Sequence, residues 1–213
     1  MMTQVEFRDC LLRNAIPVTR WIGRQHLPWV RHHQIDHADY LAIEALIKPG
    51  HILLSRRVGE CNNFFIPGFW THAALYAGSG QVIEAVGDGV VVTSLEEFCC
   101  GKHGKDFIMV RDPLFLTAAE KLDAIQFANI EVQAKALYDW VFTPNNKAFY
   151  CAELVWHCCD LAYRQTHQGE AAPFVLRQTL GVDTATAQDI AQAHDKMATV
   201  YVSDRESPSS KNA

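Results

Sequence analysis

The sequence predicts an α+β fold in which an antiparallel sheet packs on helices. Three observations carry this. The strand-like runs cluster between residues 51 and 111 instead of alternating one by one with helices. Two glycine turns, Gly78-Ser79-Gly80 and Gly87-Asp88-Gly89, link three of those runs into a meander. Two helical segments with distinct start signals then follow, at Thr117 and at Cys151.

Taken in order, residues 1–45 read as a helical segment broken by Pro17 and Pro28. Asp36 to Leu46 reads as a helix that stops at Lys48-Pro49-Gly50. His51 to Ser55 is strand-like. Gly59 to Gly68 reads as a loop whose tip, Phe64 to Trp70, is aromatic. Thr71 to Ala77, Gln81 to Val86 and Val90 to Thr93 are the strands of the meander. Ser94 starts a short helix, and Asp106 to Arg111 reads as a strand before Pro113. Thr117-Ala118-Ala119-Glu120 is a capping box that opens a helix expected to reach Tyr138. Leu122, Ile125, Phe127, Ala128 and Val132 mark its expected buried side. Cys151 to Tyr163 reads as an amphipathic helix, since Cys151, Leu154, Val155, Cys158 and Ala162 recur at helical spacing. Gly169 to Gly181 reads as a loop. Thr184 or Thr186 caps a further helix, and Ala198 to Val202 is a terminal strand. The expected organisation is one domain over 1–202, with a polar tail at 203–213 expected to be disordered.

Composition narrows the function. The chain is 49% hydrophobic and 20% charged, the balance of a soluble globular protein. A net charge of -5 with scattered Lys and Arg excludes a nucleic-acid partner. No apolar run approaches the ~18 residues of a membrane span, and residues 1–10 lack the apolar core of a signal peptide. The seven cysteines include two adjacent pairs, Cys99-Cys100 and Cys158-Cys159, which suit a disulfide framework poorly. Reduced thiols and a cytoplasmic location are expected.

Cys151 carries the chemistry. A thiol at a helix N-terminus feels the positive end of the helix dipole, which favours the nucleophilic thiolate. A buried cysteine acting as a small hydrophobe fits the same position. His72, at a loop-to-strand junction, is the candidate general base. Glu84 shares a strand face with Val82 and Val86, and a carboxylate on an apolar face needs a partner. If the hairpin closes over Gly78-Ser79-Gly80 with an even-sum register, His72 faces Val86 and lies diagonal to Glu84. Asp88 has the same parity and ranks second as the orienting group. Tyr150 reads either as a hydroxyl donor or as a packing aromatic. Phe65, Phe69 and Trp70 read either as substrate contacts or as a loop packed on the N-terminal helices. His157, Cys158 and Cys159 are neighbours on a helix and do not converge on a metal. His33 and His37 lack a third ligand nearby, so no metal is expected. Glu153 reads as a helix-dipole partner.

Several segments together resemble a known family. They are Lys48-Pro49-Gly50-His51-Ile52-Leu53-Leu54, Ile66 to Gly78, Val82-Ile83-Glu84-Ala85, Tyr138-Asp139, and Phe149-Tyr150-Cys151-Ala152-Glu153-Leu154-Val155. The resemblance is to the YaeF/YiiX branch of the NlpC-type, circularly permuted papain-like cysteine hydrolases. It implies that histidine precedes cysteine in the chain, with a polar residue on the next strand completing a triad. His72, Glu84 and Cys151 match those places in that order. One position departs from the pattern, because His51 stands where the family has an acidic residue. The implied reaction is amide hydrolysis of a small peptide-like substrate through a thioester, with no cofactor. The first alternative is a lipid or ester acyl hydrolase or acyltransferase, similar to the lecithin:retinol acyltransferase group, which leaves transient lipid contact open. The second is a non-catalytic ligand-binding protein on the same fold.

Overall fold

The computed structural model describes residues 35–60, 63, 66–101, 104–140, 147–174, 177–179 and 182–203, and side chains are described outside 175–183. Phe64, Phe65, most of the segment 1–45 and the tail 204–213 lie outside the described residues.

Among the described residues the first helix is α1 (His37–Leu46), which Asp36 caps through bonds from the Ala38 and Asp39 amides at 2.9 Å each. The chain then enters β1 (Ile52–Arg56), β2 (His72–Gly78), β3 (Gln81–Val86) and β4 (Gly89–Ser94). Ser94 caps the short α2 (Leu95–Cys100), which β5 (Phe107–Pro113) follows. Thr117 and Glu120 form the expected capping box of α3 (Ala118–Gln133). Next come β6 (Leu137–Tyr138), β7 (Ala148–Phe149) and α4 (Cys151–Thr166). The chain closes with β8 (Arg177–Thr179), β9 (Val182–Thr184), α5 (Ala187–Gln192) and β10 (Met197–Val202).

The main sheet is antiparallel, in the order β10-β5-β1-β2-β3-β4. Each sheet face has its own core, because side chains alternate along a strand. Ile52, Leu54, Ala73, Leu75, Ile83 and Ala85 face α3 and α4, against Ala124, Ala128, Leu154, Val155 and Cys158. Leu53, Ala74, Tyr76, Val82, Ile108 and Val110 face α1 and α2, against Ile43, Leu95 and Phe98. Each fully buried Leu or Ile contributes about 1.5–3 kcal/mol relative to exposure. Arg111 is fully buried in β5 and donates to the Met197 and Ala193 carbonyls at 2.8 and 3.2 Å, fastening the β10 end of the chain.

Four expectations are corrected. α3 ends at Gln133, five residues short of Tyr138. There Lys135 takes a positive φ of 52°, and the Ala136 carbonyl accepts from Val90 N–H at 2.9 Å. A Cβ on Gly89 would lie 2.6 Å from that same carbonyl, so glycine is required where β4 begins beside it. Leu122 is 53% exposed, and Glu120, Ala124, Ile125 and Ala128 form the buried side instead. The expected loop at 169–181 contains β8, which pairs with β9 as a hairpin. Ser203 is not part of a tail: it is buried and exchanges bonds with Ile108 at 3.0 and 3.3 Å.

Candidate active site

The site forms at the end of the sheet where β2 begins. Cys151 is the first residue of α4, on one face of the sheet. His72 opens β2 and turns its ring toward the other face, 6.1 Å from the Phe98 ring. The two approach because α4 packs against β2 and directs its N-terminus at the strand's first residues. The Cys151 sulfur lies 3.9 Å from the Thr71 carbonyl oxygen, and Cys151 and His72 line the same cavity, close enough for each to shift the other's ionisation.

The hairpin register places the third group. Ala74 pairs with Glu84, so His72 lies diagonal to Glu84 on the same face, as the even-sum register required. His72 Nε2 is 2.8 Å from Glu84 Oε2. The carboxylate on His72 is therefore Glu84, while Asp88 sits exposed in its turn. The other carboxylate oxygen, Oε1, accepts from the Thr93 hydroxyl at 2.7 Å.

The electrostatics follow from burial and these contacts. Burial pushes His72 down, but bonds and charge attraction from Cys151 and Glu84 outweigh it and raise the ring to about 9. Burial pushes Glu84 up, yet His72, Lys105 and Thr93 hold it down to about 2. Burial opposes ionisation of Cys151, but His72 and the backbone N–H groups of Ala73 and Ala152 lower its pKa. The arrangement favours a thiolate–imidazolium pair with a carboxylate behind it. The other described cysteines, Cys99, Cys100, Cys158 and Cys159, are free thiols that burial pushes up.

A cavity of about 200 Å³ opens onto Cys151 and His72. Tyr138, Trp140, Arg57, Lys105 and Ile66 are among its walls. Tyr150 is buried as the N-cap of α4, and its hydroxyl oxygen accepts from the Ala185 backbone rather than lining this cavity. Phe69 and Trp70 are likewise absent from its walls. Trp70 is core, and Phe69 packs edge-on against Trp70 and Phe107, beneath the Arg56 guanidinium. Phe65 lies outside the described residues. Glu153 is buried, and burial together with the Asp139 charge raises it to about 8, against the bond from Tyr150 N–H. It is therefore a neutral acid at neutral pH, not the charged dipole partner expected. His157 stacks on Phe149, and no group of three metal-ligating side chains converges among the described residues.

Sequence reasoning missed Ser55, Arg57, Lys105, Thr93 and Trp140. A signal existed for two of them. Ser55 pairs with His72 across strands, and Thr93 stands on the strand next to Glu84 at matching parity. His51, the departure from the family pattern, is buried before β1, accepts from Lys48 N–H at 3.2 Å and lies 3.7 Å from Asp112. It shapes that turn away from the cavity.

A family model described as permuted papain-like amidase enzyme, YaeF/YiiX, matches residues 46–201. No curated protein and no solved structure matches the chain. The matched stretch contains all of the main sheet but the last residue of β10, α3, α4 and the cavity, and the chain belongs to the YaeF/YiiX family of permuted papain-like amidases, enzymes of the cysteine-hydrolase type.

Proposed function

We propose that the chain hydrolyses an amide bond of a small peptide-like substrate through a thioester on Cys151. His72 is the general base and acid, and Glu84 orients it. The observation that carries this reading is the His72–Glu84 bond of 2.8 Å with Cys151 beside His72 on the wall of one cavity.

His72 holds the thiol proton as imidazolium while the thiolate attacks the carbonyl carbon. The carbonyl oxygen becomes an oxyanion that the backbone N–H of Cys151, at the helix N-terminus, is placed to receive. Tyr138 adds a hydroxyl on the cavity wall, and burial beside Cys151 keeps that hydroxyl protonated. As the tetrahedral intermediate collapses, the C–N bond breaks and the amine leaves with the proton from His72. A water then gives its proton to His72, attacks the thioester, and releases the acid and the thiol. The Glu84 carboxylate stays charged throughout and fixes which ring nitrogen faces the sulfur.

A short peptide and a p-nitrophenyl acyl ester, assayed side by side with the purified chain, test this. Amide cleavage with an acyl adduct trapped on Cys151 is the expected result. Full turnover by Cys151→Ala overturns the covalent mechanism, and activity confined to the ester points to the acyl-lipid alternative.

A further inference from the structure

Glu84 has two oxygens and two partners. Oε2 meets His72 Nε2 at 2.8 Å from β2, and Oε1 meets the Thr93 hydroxyl at 2.7 Å from β4. The registers make these contacts mirror diagonals. Ala74 and Val91 are the direct neighbours of Glu84, while His72 lies two residues before Ala74 and Thr93 two after Val91. All three polar side chains share the sheet face covered by α2. The Glu84 side chain is 8% exposed, so little water reaches either oxygen. Thr93 has a single hydroxyl proton, and it is committed to Oε1.

We propose that Thr93 is a positioning residue of the active site: its hydroxyl locks the Glu84 carboxylate so that Oε2 stays on the imidazole. This deepens the proposed function and rests on its assignment of His72 and Glu84. A terminal carboxylate torsion is soft. One bond at Oε2 leaves the group free to turn about its end, whereas a second bond on the far side fixes its plane. The lock matters because the imidazolium is what stabilises the Cys151 thiolate. The charged groups facing this unit are the Lys105 ammonium, which attracts Glu84, and Cys151 itself, which attracts His72. Neither contributes a second bond to Oε1. A valine at 93 has nearly the same shape and suits an edge strand, so the hydroxyl can be removed without removing the side chain.

The test uses the full chain and needs no substrate. The His72 ring is titrated by NMR, with its signal assigned by its loss in His72→Gln, and the rate of Cys151 alkylation by iodoacetamide is measured from about pH 6 to about pH 10. Thr93→Val should lower the His72 titration by about half a pH unit and move the upper inflection of the alkylation profile, where the imidazolium beside the thiolate loses its proton, down by the same amount. Thr93→Ser should restore both values, and Thr93→Ala repeats the loss if the valine variant does not fold. Glu84→Gln should move both readouts further. If Glu84→Gln shifts them and neither Thr93→Val nor Thr93→Ala does, the role of Thr93 is overturned while the triad stands. If Glu84→Gln also leaves them at wild-type values, the Glu84–His72 assignment falls, and the role of Thr93 with it.

Discussion

His72 and Glu84 meet across a diagonal of the β2–β3 hairpin, with Nε2 and Oε2 2.8 Å apart, although Glu84 pairs directly with Ala74 and His72 with Ser55 of β1. The diagonal lets a long carboxylate side chain approach the ring edge-on and accept its N–H. The remaining ring nitrogen is then left for the sulfur of α4. The pairing also links stability to protonation at both ends of the pH scale.

Glu84→Gln should destabilise the protein most between about pH 4.5 and 6.5. Glu84 is lowered from 4.5 to about 2, so its contribution is present above 4.5 and lost as pH falls through 2. His72 is raised from 6.5 to about 9, so its contribution is full below 6.5 and lost as pH rises through 9. The deficit should be about 2 kcal/mol inside that window, less than for a fully buried broken pair because glutamine keeps a carbonyl acceptor. Thermal unfolding across pH measures it, and a deficit independent of pH contradicts the ion pair.

Cys151 should be the preferred site of alkylation among the cysteines of the described structure. It opens onto the cavity with a lowered pKa, whereas Cys99 and Cys159 are pushed up to about 12 by burial. Brief iodoacetamide treatment at about pH 6.5, followed by peptide mapping, reads this directly. Equal labelling of Cys100, the most accessible of the others, would show that exposure rather than ionisation governs reactivity.

Glu153→Gln should stabilise the protein in alkaline solution. Glu153 is raised from 4.5 to about 8, so between those values the folded state holds a proton that the unfolded state has lost. Stability therefore declines as pH rises across that range. Glutamine keeps an acceptor for Tyr150 N–H and does not ionise. The gain should be near zero at pH about 4.5 and roughly 1–3 kcal/mol by pH about 8. Comparable Tm values for the two proteins at pH about 8 would contradict a protonated Glu153.

Phe69→Ala should act on stability more than on catalysis. The ring packs against Trp70 and Phe107 and carries the Arg56 guanidinium 5.0 Å from its centroid. Truncation should cost about 3 kcal/mol. At a temperature where the variant is folded, kcat/KM should stay within about threefold of wild type, because the residue does not line the cavity. A larger loss in kcat/KM without loss of stability would return Phe69 to the substrate site.

Much of the fold was legible because local chemistry dictates it. Asp36, Ser94, Thr117 and Thr186 each satisfy orphan helix amides; the first three stand where the sequence starts a helix, and Thr186 is the one of its two candidates, Thr184 and Thr186, that caps the last. The apolar stripe Cys151, Leu154, Val155, Cys158 and Ala162 is buried in full. From the sequence, His72 lies diagonal to Glu84 only on condition of an even-sum register, and the structure meets that condition through a register shift between Tyr76 and Gly78 beside the turn. Capping, periodicity and register act over a few residues, so they are written in order along the chain.

Long-range contacts decided the rest. Tyr138 was expected at the end of α3, but it pairs with Phe149 in a two-residue parallel ladder and becomes a cavity wall. The aromatic loop beside His72 reads from sequence as either substrate contact or packing, and Phe69 and Trp70 pack on the core, with Phe69 against Phe107 of β5. Glu153 reads as charged from its place at a helix start, yet burial next to Asp139 makes it a neutral acid. By itself the sequence determined which residues could form the site, and which of them would meet if the hairpin closed in the even-sum register. The tertiary structure decided that α4 brings Cys151 to the start of β2, and which side chains enclose it. Those contacts join residues some eighty positions apart in the chain, and burial, the term that sets both packing and ionisation, exists only once such distant segments have met.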